Sequence, residues 1–144
     1  MKKNSDRQPH TTRNFFIMAL VIDLKPNERI IIGEAVIQND KHRTRLHIKG
    51  DTPILREKDI LKEEDADTPC KKVYIAIQLM YLATDPREMY KTYFDLVKDV
   101  QNAAPSTIPF ILDINEHLMT EHYYKALKAG QKLIEYEAQL LSNV

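Results

Sequence analysis

Apolar positions recur along this chain with two periods, and the change from one to the other falls near residue 60. Leu20, Ile22 and Leu24 alternate with more variable positions, which is the two-residue repeat of a strand that buries one face. Lys25-Pro26-Asn27-Glu28 has the composition of a turn. Arg29 to Ile32 and Glu34 to Gln38 are two further strand candidates around Gly33, a residue expected at a bulge or a bend. After a turn at Asn39-Asp40, the segment Arg43 to Lys49 alternates cleanly. It puts Thr44, Leu46 and Ile48 on one face and Arg43, Arg45, His47 and Lys49 on the other. Gly50-Asp51 then reverses the chain toward Pro53-Ile54-Leu55.

Beyond residue 60 the spacing becomes helical. Thr68 as cap and Pro69 at the first helical position predict a helix whose Val73, Ile77 and Met80 belong to a broad apolar face ending near Thr84. Asp85, Pro86 and Glu88 repeat the start signal and lead into a helix carrying Met89, Tyr93, Leu96, Val97 and Val100. Ala103 to Pro109 reads as a linker, followed by a short helix around Phe110 to Leu118. A longer helix is predicted from about Thr120 to Leu141, with Tyr123, Leu127, Gly130, Ile134, Ala138 and Leu141 spaced three or four apart. Gly130 in that repeat predicts close approach of another helix, at a helix-propensity cost of about 1 kcal/mol relative to alanine. The pattern specifies an α+β protein, with a small N-terminal antiparallel β-sheet followed by a C-terminal helical region of three to four helices.

The chain has 144 residues, 43% of them apolar and 29% charged, a size and balance suited to one domain with its own core. Residues 1–17 read as a disordered N-terminal extension, with Met18 as an alternative start, and 18–144 as a single domain, mainly β over 18–58 and mainly α over 59–144. Lys2, Lys3, Arg7 and Arg13 ahead of the apolar run Phe15 to Ile22 imitate a secretion signal, but the run is short, ends at Asp23 and precedes no small-residue cleavage site. No stretch approaches the roughly 20 apolar residues of a membrane helix. The lone cysteine, Cys70, has no partner for an internal disulfide and no neighbouring histidine to activate it, which fits a reducing, cytoplasmic setting and an inert thiol.

Chemistry is constrained mainly by what the sequence omits. With glycine only at 33, 50 and 130 there is neither a Walker phosphate loop nor a dinucleotide fingerprint, since each needs several closely spaced residues without side chains. Glu116-His117 and Glu121-His122 supply some ligand types for a metal but no convergent set of three or four. The acidic run Glu63-Glu64-Asp65 with Asp67 reads as a solvated helix approach rather than an acid and base pair. Nucleotide hydrolysis, hydride transfer and a metal site are therefore not expected.

Charge changes the picture only through its distribution. Lysine plus arginine and aspartate plus glutamate both total 21, yet residues 1–58 carry 12 cations against 7 acids and residues 59–144 carry 9 against 14. The stretch Lys41 to Lys49 concentrates four cations and two histidines without an acid. Its strand period gathers Arg43, Arg45, His47 and Lys49 on one side, with Lys41 just before, and a row of that kind can track a phosphate backbone. The same pattern also describes an ordinary antiparallel strand showing its polar face to water. Base-stacking sheets carry aromatic rings, whereas every tyrosine here lies at residue 74 or later and the strand region has no aromatic after Phe16.

Four successive blocks carry a family resemblance: MALVIDLKPNERIIIGEAVI (18–37), TPILREKDIL (52–61), DTPCKKVYIAIQLM (67–80) and YYKALKAGQKLIEYEAQLL (123–141). In this order they resemble the FlbT family, regulators of flagellin production, over essentially all of residues 18–144. The resemblance implies post-transcriptional control in the cytoplasm. The protein would associate with the 5′ untranslated leader of flagellin messenger RNA and promote its decay or repress its translation, with no enzymatic step and no cofactor. A shorter likeness, Leu24 to Ile37, is to the opening of small β-stranded Csr-type messenger RNA regulators, but Asn27 stands where those have glycine, and no binding residues are carried over.

Two functional classes are implied. In one, the chain binds RNA directly through Lys41, Arg43, Arg45, His47 and Lys49, joined by Lys25, Arg29, Arg56 and Lys58. In the other it is a protein-interaction module whose helical half binds flagellin or the companion regulator FlaF, so that its effect on messenger RNA is indirect.

Overall fold

The computed structural model describes residues 20–144, so the expectations for 1–17 and for Met18 lie outside the described residues. The chain divides between Asp59 and Ile60 into two compact units. In order they are a small antiparallel β unit and a unit of four helices, as the change of period predicts.

The β unit contains β1 (Leu20–Leu24), β2 (Arg29–Ile32), β3 (Ala35–Gln38), β4 (Thr44–Ile48) and β5 (Ile54–Arg56). They form two sheets, β1 with β4 and β3-β2-β5, all paired antiparallel. Ile22 and Leu24 of β1 and Ile30 of β2 are buried in one cluster, with Ile32, Leu46, Ile48 and Ile54 packed against it. Both sheets therefore share one apolar core. The turn after β1 has Pro26 at its second position and Asn27 at its third with φ 66°, closed by the Glu28 amide donating to the Lys25 carbonyl at 3.1 Å. Proline and then asparagine in those places are what a turn with a left-handed third residue selects. Gly33 sits in a two-residue reversal, since Ile32 pairs with Ala35. Its φ is +64° and an added Cβ would lie 2.7 Å from the Thr52 hydroxyl, so conformation and space both require glycine here, in a tight hairpin rather than a bulge.

Asn39 ties one end of this unit together. Its amide nitrogen donates to the carbonyls of Lys25 and His42, each at 2.8 Å, and of Leu24 at 3.3 Å, while its oxygen accepts from the Thr44 hydroxyl at 2.9 Å. One side chain thus fixes where β4 begins.

The helical unit contains α1 (Pro69–Leu82), α2 (Tyr90–Ala103), α3 (Ile108–Met119) and α4 (Tyr123–Ser142). Thr68 caps α1 as expected, its hydroxyl accepting from the Lys71 amide at 3.2 Å. Asp85 also caps, but the element it opens is a 3-10 turn, Pro86–Met89, and the α-helix starts at Tyr90. α3 begins inside the expected linker, because Pro109 in a first turn gives up an amide that has no helical partner anyway. α4 starts at Tyr123 rather than near Thr120. Glu121 takes φ 59°, and the amides of Glu121 and His122 donate to the carbonyls of Leu118 and His117, which closes α3 and reverses the chain.

α4 packs against both α1 and α3, and α1 also packs against α2. The inner face of α4 is Ala126, Leu127, Ala129, Gly130, Leu133 and Glu137; Ala138 and Leu141 of the expected repeat are exposed. Serving two neighbours shifts the buried arc, and Glu137 takes an inner place because it has partners on α1. Gly130 admits Ile77 and Tyr74 of α1, whose nearest atoms lie 3.1 and 3.3 Å from where a Cβ would be. Gln78 of α1 holds the incoming chain, accepting from the Leu61 amide at 2.9 Å and donating to its carbonyl at 3.0 Å. No helix among the described residues is long and apolar enough to cross a membrane.

Candidate nucleic-acid interface

β4 places the basic row. Leu46 and Ile48 turn to the shared core, so Arg45 and His47 must face out, and both are exposed. Arg43 and Lys49 flank the strand and are exposed as well, as is Lys41 in the preceding loop. Opposite them on β1, Val21 pairs with His47 and Asp23 with Arg45. The outward side of this two-stranded sheet therefore carries Arg45, His47, Val21 and one acid.

That acid is the feature the sequence did not expose. Arg45 Nε donates to Asp23 Oδ1 at 2.9 Å. This hydrogen bond, reinforced by the charges of Arg45, Arg43 and Arg56, holds the Asp23 carboxyl below the usual carboxylate range. Both partners are exposed, and exposed pairs open readily in water. Asp23 therefore lowers the positive potential of the row but leaves Arg45 able to exchange its carboxylate for a phosphate.

Of the remaining candidate cations, Arg56 and Lys58 are less available. Arg56 is half-buried on β5. Its Nη2 donates to the Asp23 carbonyl at 2.8 Å, the guanidinium lies 3.6 Å from Glu28, and its Nε is buried without a hydrogen-bond partner. Lys58 lies 3.6 Å from Asp59. Arg29 is exposed at the start of β2, where its backbone amide donates to Glu57 at 2.6 Å, and Lys25 is exposed in the first turn, its amide held by Glu28 at 2.8 Å. Glu28, Glu57 and Asp59 are thus interleaved with this second set. Lys25, Arg29, Lys41, Arg43 and Lys49 have no side-chain ion pair among the described residues. The structure puts Arg45 and His47 on the outward side of β4 with Arg43 and Lys49 exposed at its two ends, and it sets Glu28, Glu57 and Asp59 beside Lys25, Arg29, Arg56 and Lys58.

The other chemical candidates settle into structural places. His117 lies 3.7 Å from Asp113 one turn back, Glu121 occupies the left-handed turn, and Glu63–Asp65 form an exposed 3-10 turn. Cys70 is buried in the first turn of α1, where burial, then the charge of Glu137 and a hydrogen bond to it, pushes the thiol up to about 12. Thiolate is the reacting form. Native protein at pH 8 is expected to react with a disulfide reagent roughly a thousandfold more slowly than unfolded chain, given a rise from 9.0 to about 12 and a factor of ten per unit. Equal rates with and without denaturant would show that Cys70 is accessible.

Comparison with known proteins gives a consistent outcome. The family described as "Flagellar protein FlbT" matches residues 20–141. The chain is 52% identical over 124 residues to the "Probable flagellum biosynthesis repressor protein FlbT 1" of Bradyrhizobium diazoefficiens, covering 85% of each chain. It is 44% identical to the "Probable flagellum biosynthesis repressor protein FlbT" of Rhodopseudomonas palustris, covering 87% of this chain and 99% of that one. It is 32% identical to the "Flagellum biosynthesis repressor protein FlbT" of Caulobacter vibrioides, covering 88% and 92%. No solved structure matches.

Proposed function

The chain belongs to the FlbT family, and from that premise we propose that it is a cytoplasmic repressor of flagellum biosynthesis acting after transcription. It associates with the 5′ untranslated leader of flagellin messenger RNA and lowers flagellin output through decay or reduced translation of that transcript. The direction is that of the relatives, whose names call them repressors. The observation that carries RNA contact is the outward row Arg43, Arg45, His47 and Lys49, whose backbone is fixed by the Leu46 and Ile48 anchors and the Asn39 clamp. A row of cations on a rigid strand positions phosphates without reading bases.

The test is titration of a flagellin leader with the wild type and with the triple variant Arg43→Gln, Arg45→Gln, Lys49→Gln. Each lost phosphate contact lowers the slope of log affinity against log salt by about 0.7 for a single strand. Because Arg45 must first leave Asp23, the combined change is expected between about 1.4 and about 2. Asp23→Asn should act oppositely, tightening binding by roughly a few-fold as a carboxylate leaves the row. Unchanged affinity and slope in the triple variant, with unchanged circular dichroism, would remove β4 from the RNA surface.

A second reading is favoured by α3, which exposes Ile108, Leu112 and Met119 along one face, Leu112 by 60% and Met119 by 81%. Such a row suits a protein partner, here flagellin or FlaF, with the transcript affected indirectly. A leader that shifts on a gel only after FlaF is added would favour this reading over direct binding.

A further inference from the structure

The β unit supplies phosphate contacts but no phenol, phenyl or indole ring to stack a base, because residues 20–59 contain no Phe, Tyr or Trp and their only aromatic rings are the imidazoles of His42 and His47. Every described Phe and Tyr belongs to the helical unit, and one of them is placed unlike the rest. α4 carries Lys125, Lys128 and Lys132 with no acid between His122 and Ile134. At helical spacing Lys128 adjoins Lys125, Lys132 and Tyr124, outside the inner face made by Ala126, Leu127, Ala129, Gly130 and Leu133. Tyr124, Lys125 and Lys132 are exposed and Lys128 is half-buried.

Tyr124 stays 41% exposed although one ring and one ammonium group lie against it. The Tyr81 ring lies 5.6 Å away, tilted by 52°, and Lys128 Nζ lies 5.3 Å from the Tyr124 centroid. An exposed tyrosine contributes little to a core that closes without it, so its packing role is slight. What this ring offers is a π face steadied by a second ring and met by one ammonium group, with two further lysines along the same helix. The nearest acids along the chain flank the patch: Glu121, which lies in the field of the Asp85-paired Arg87, precedes it, and Glu135 follows Lys132.

We infer that this face of α4 is a second contact for single-stranded RNA, in which an unpaired base stacks on Tyr124 and Lys125, Lys128 and Lys132 meet the flanking phosphates. It rests on the RNA-binding reading and adds to it a tyrosine stacking platform, where the β unit offers only imidazoles. A base entering over Tyr124 displaces the Lys128 ammonium from the ring, and the lysine then turns to the phosphate of the same nucleotide. Stacking of this kind tolerates any base, so the surface takes unpaired strands and not duplex, whose bases are already stacked.

The experiment measures fluorescence anisotropy of three probes with the full chain: a flagellin leader, a labelled oligoadenylate of roughly twelve nucleotides, within the usual site sizes, and an RNA duplex of equal length. Tyr124→Ala should weaken oligoadenylate binding by about fivefold to a hundredfold, as one lost stack does. Tyr124→Phe should retain it and Tyr124→Leu should lose it, because leucine keeps the bulk and not the π face. Lys125→Gln with Lys132→Gln should lower the salt slope by about 1.4. Duplex affinity should be the same for Tyr124→Ala as for the wild type. If the wild type binds leader and oligoadenylate and the Tyr124 variants bind as well, this inference fails while the RNA reading stands. Binding of neither probe by the wild type overturns both. Should Tyr124→Ala spare RNA and weaken binding of purified flagellin, the patch is a protein-docking face and the inference is wrong.

Discussion

Replacing Tyr93 by alanine is expected to lower stability by about 3 to 5 kcal/mol, the range for deleting a fully buried aromatic from a core. Tyr93 of α2 is fully buried, stands 5.0 Å from the Phe94 ring in an edge-to-face contact, and donates its hydroxyl to Asn115 Oδ1 of α3 at 2.6 Å. Alanine would open a cavity and leave the Asn115 oxygen without its donor, so both the apolar and the polar costs fall on one site. Tyr93→Phe separates the two and should cost about 1 kcal/mol, the usual size for one hydrogen bond. The phenol adds a pH signature. Burial raises its ionisation above the ordinary 10.0. Below pH 10 it is neutral in both states; above, the unfolded chain loses the proton and the folded protein does not, so stability falls as pH rises. Tyr93→Phe should flatten part of that alkaline decline. Equal urea midpoints for the wild type and Tyr93→Ala would mean that α2 does not depend on this anchor.

Tyr93 belongs to an apolar repeat that the sequence displays, while its partner Asn115 does not, and that contrast runs through the molecule. Local signals are readable where one residue type has one physical use. Thr68-Pro69 opens a helix, Pro26-Asn27 makes a turn, and the alternation in Arg43 to Lys49 separates core from solvent. The helix junction at Thr120 to His122 lies off its expected place because the left-handed residue there is Glu121, without the glycine that usually marks such a reversal. Strand order is not readable, since antiparallel neighbours are chosen by packing between distant segments. β1 pairs with β4 across the turn, β2 and β3, not with β2. The candidate site inherits that limit. The outward row of β4 comes from its own alternation, but Asp23 opposite Arg45 comes only from the β1 and β4 register, and Arg56 resembles a free cation in the sequence although the fold sets it against Asp23 and Glu28.

Glu137 is the extreme case, an acid that a period-based reading would place outside and that the fold encloses, and its removal carries the second large effect. One carboxylate oxygen accepts from the Thr68 hydroxyl at 2.6 Å and the other from the Cys70 amide at 3.1 Å, so α4 supplies a cap for the first turn of α1. The first amides of a helix have no partner within it, and the helix dipole favours negative charge at that end. Glu137→Ala should therefore cost about 3 kcal/mol, combining lost hydrogen bonds to a charged group with a buried Cys70 amide left unpaired. Glu137→Gln keeps one acceptor oxygen and the shape, and should cost about half as much, because its amide NH2 is a donor and cannot accept from the second donor. The thiol reports the same change independently. With the carboxylate gone, both Glu137 contributions that raise the Cys70 pKa vanish, and native Cys70 should react faster with a disulfide reagent in Glu137→Gln than in the wild type. Urea midpoints for the two variants that match the wild type would show that Glu137 is a tolerated buried acid and that Thr68 alone is enough to start α1.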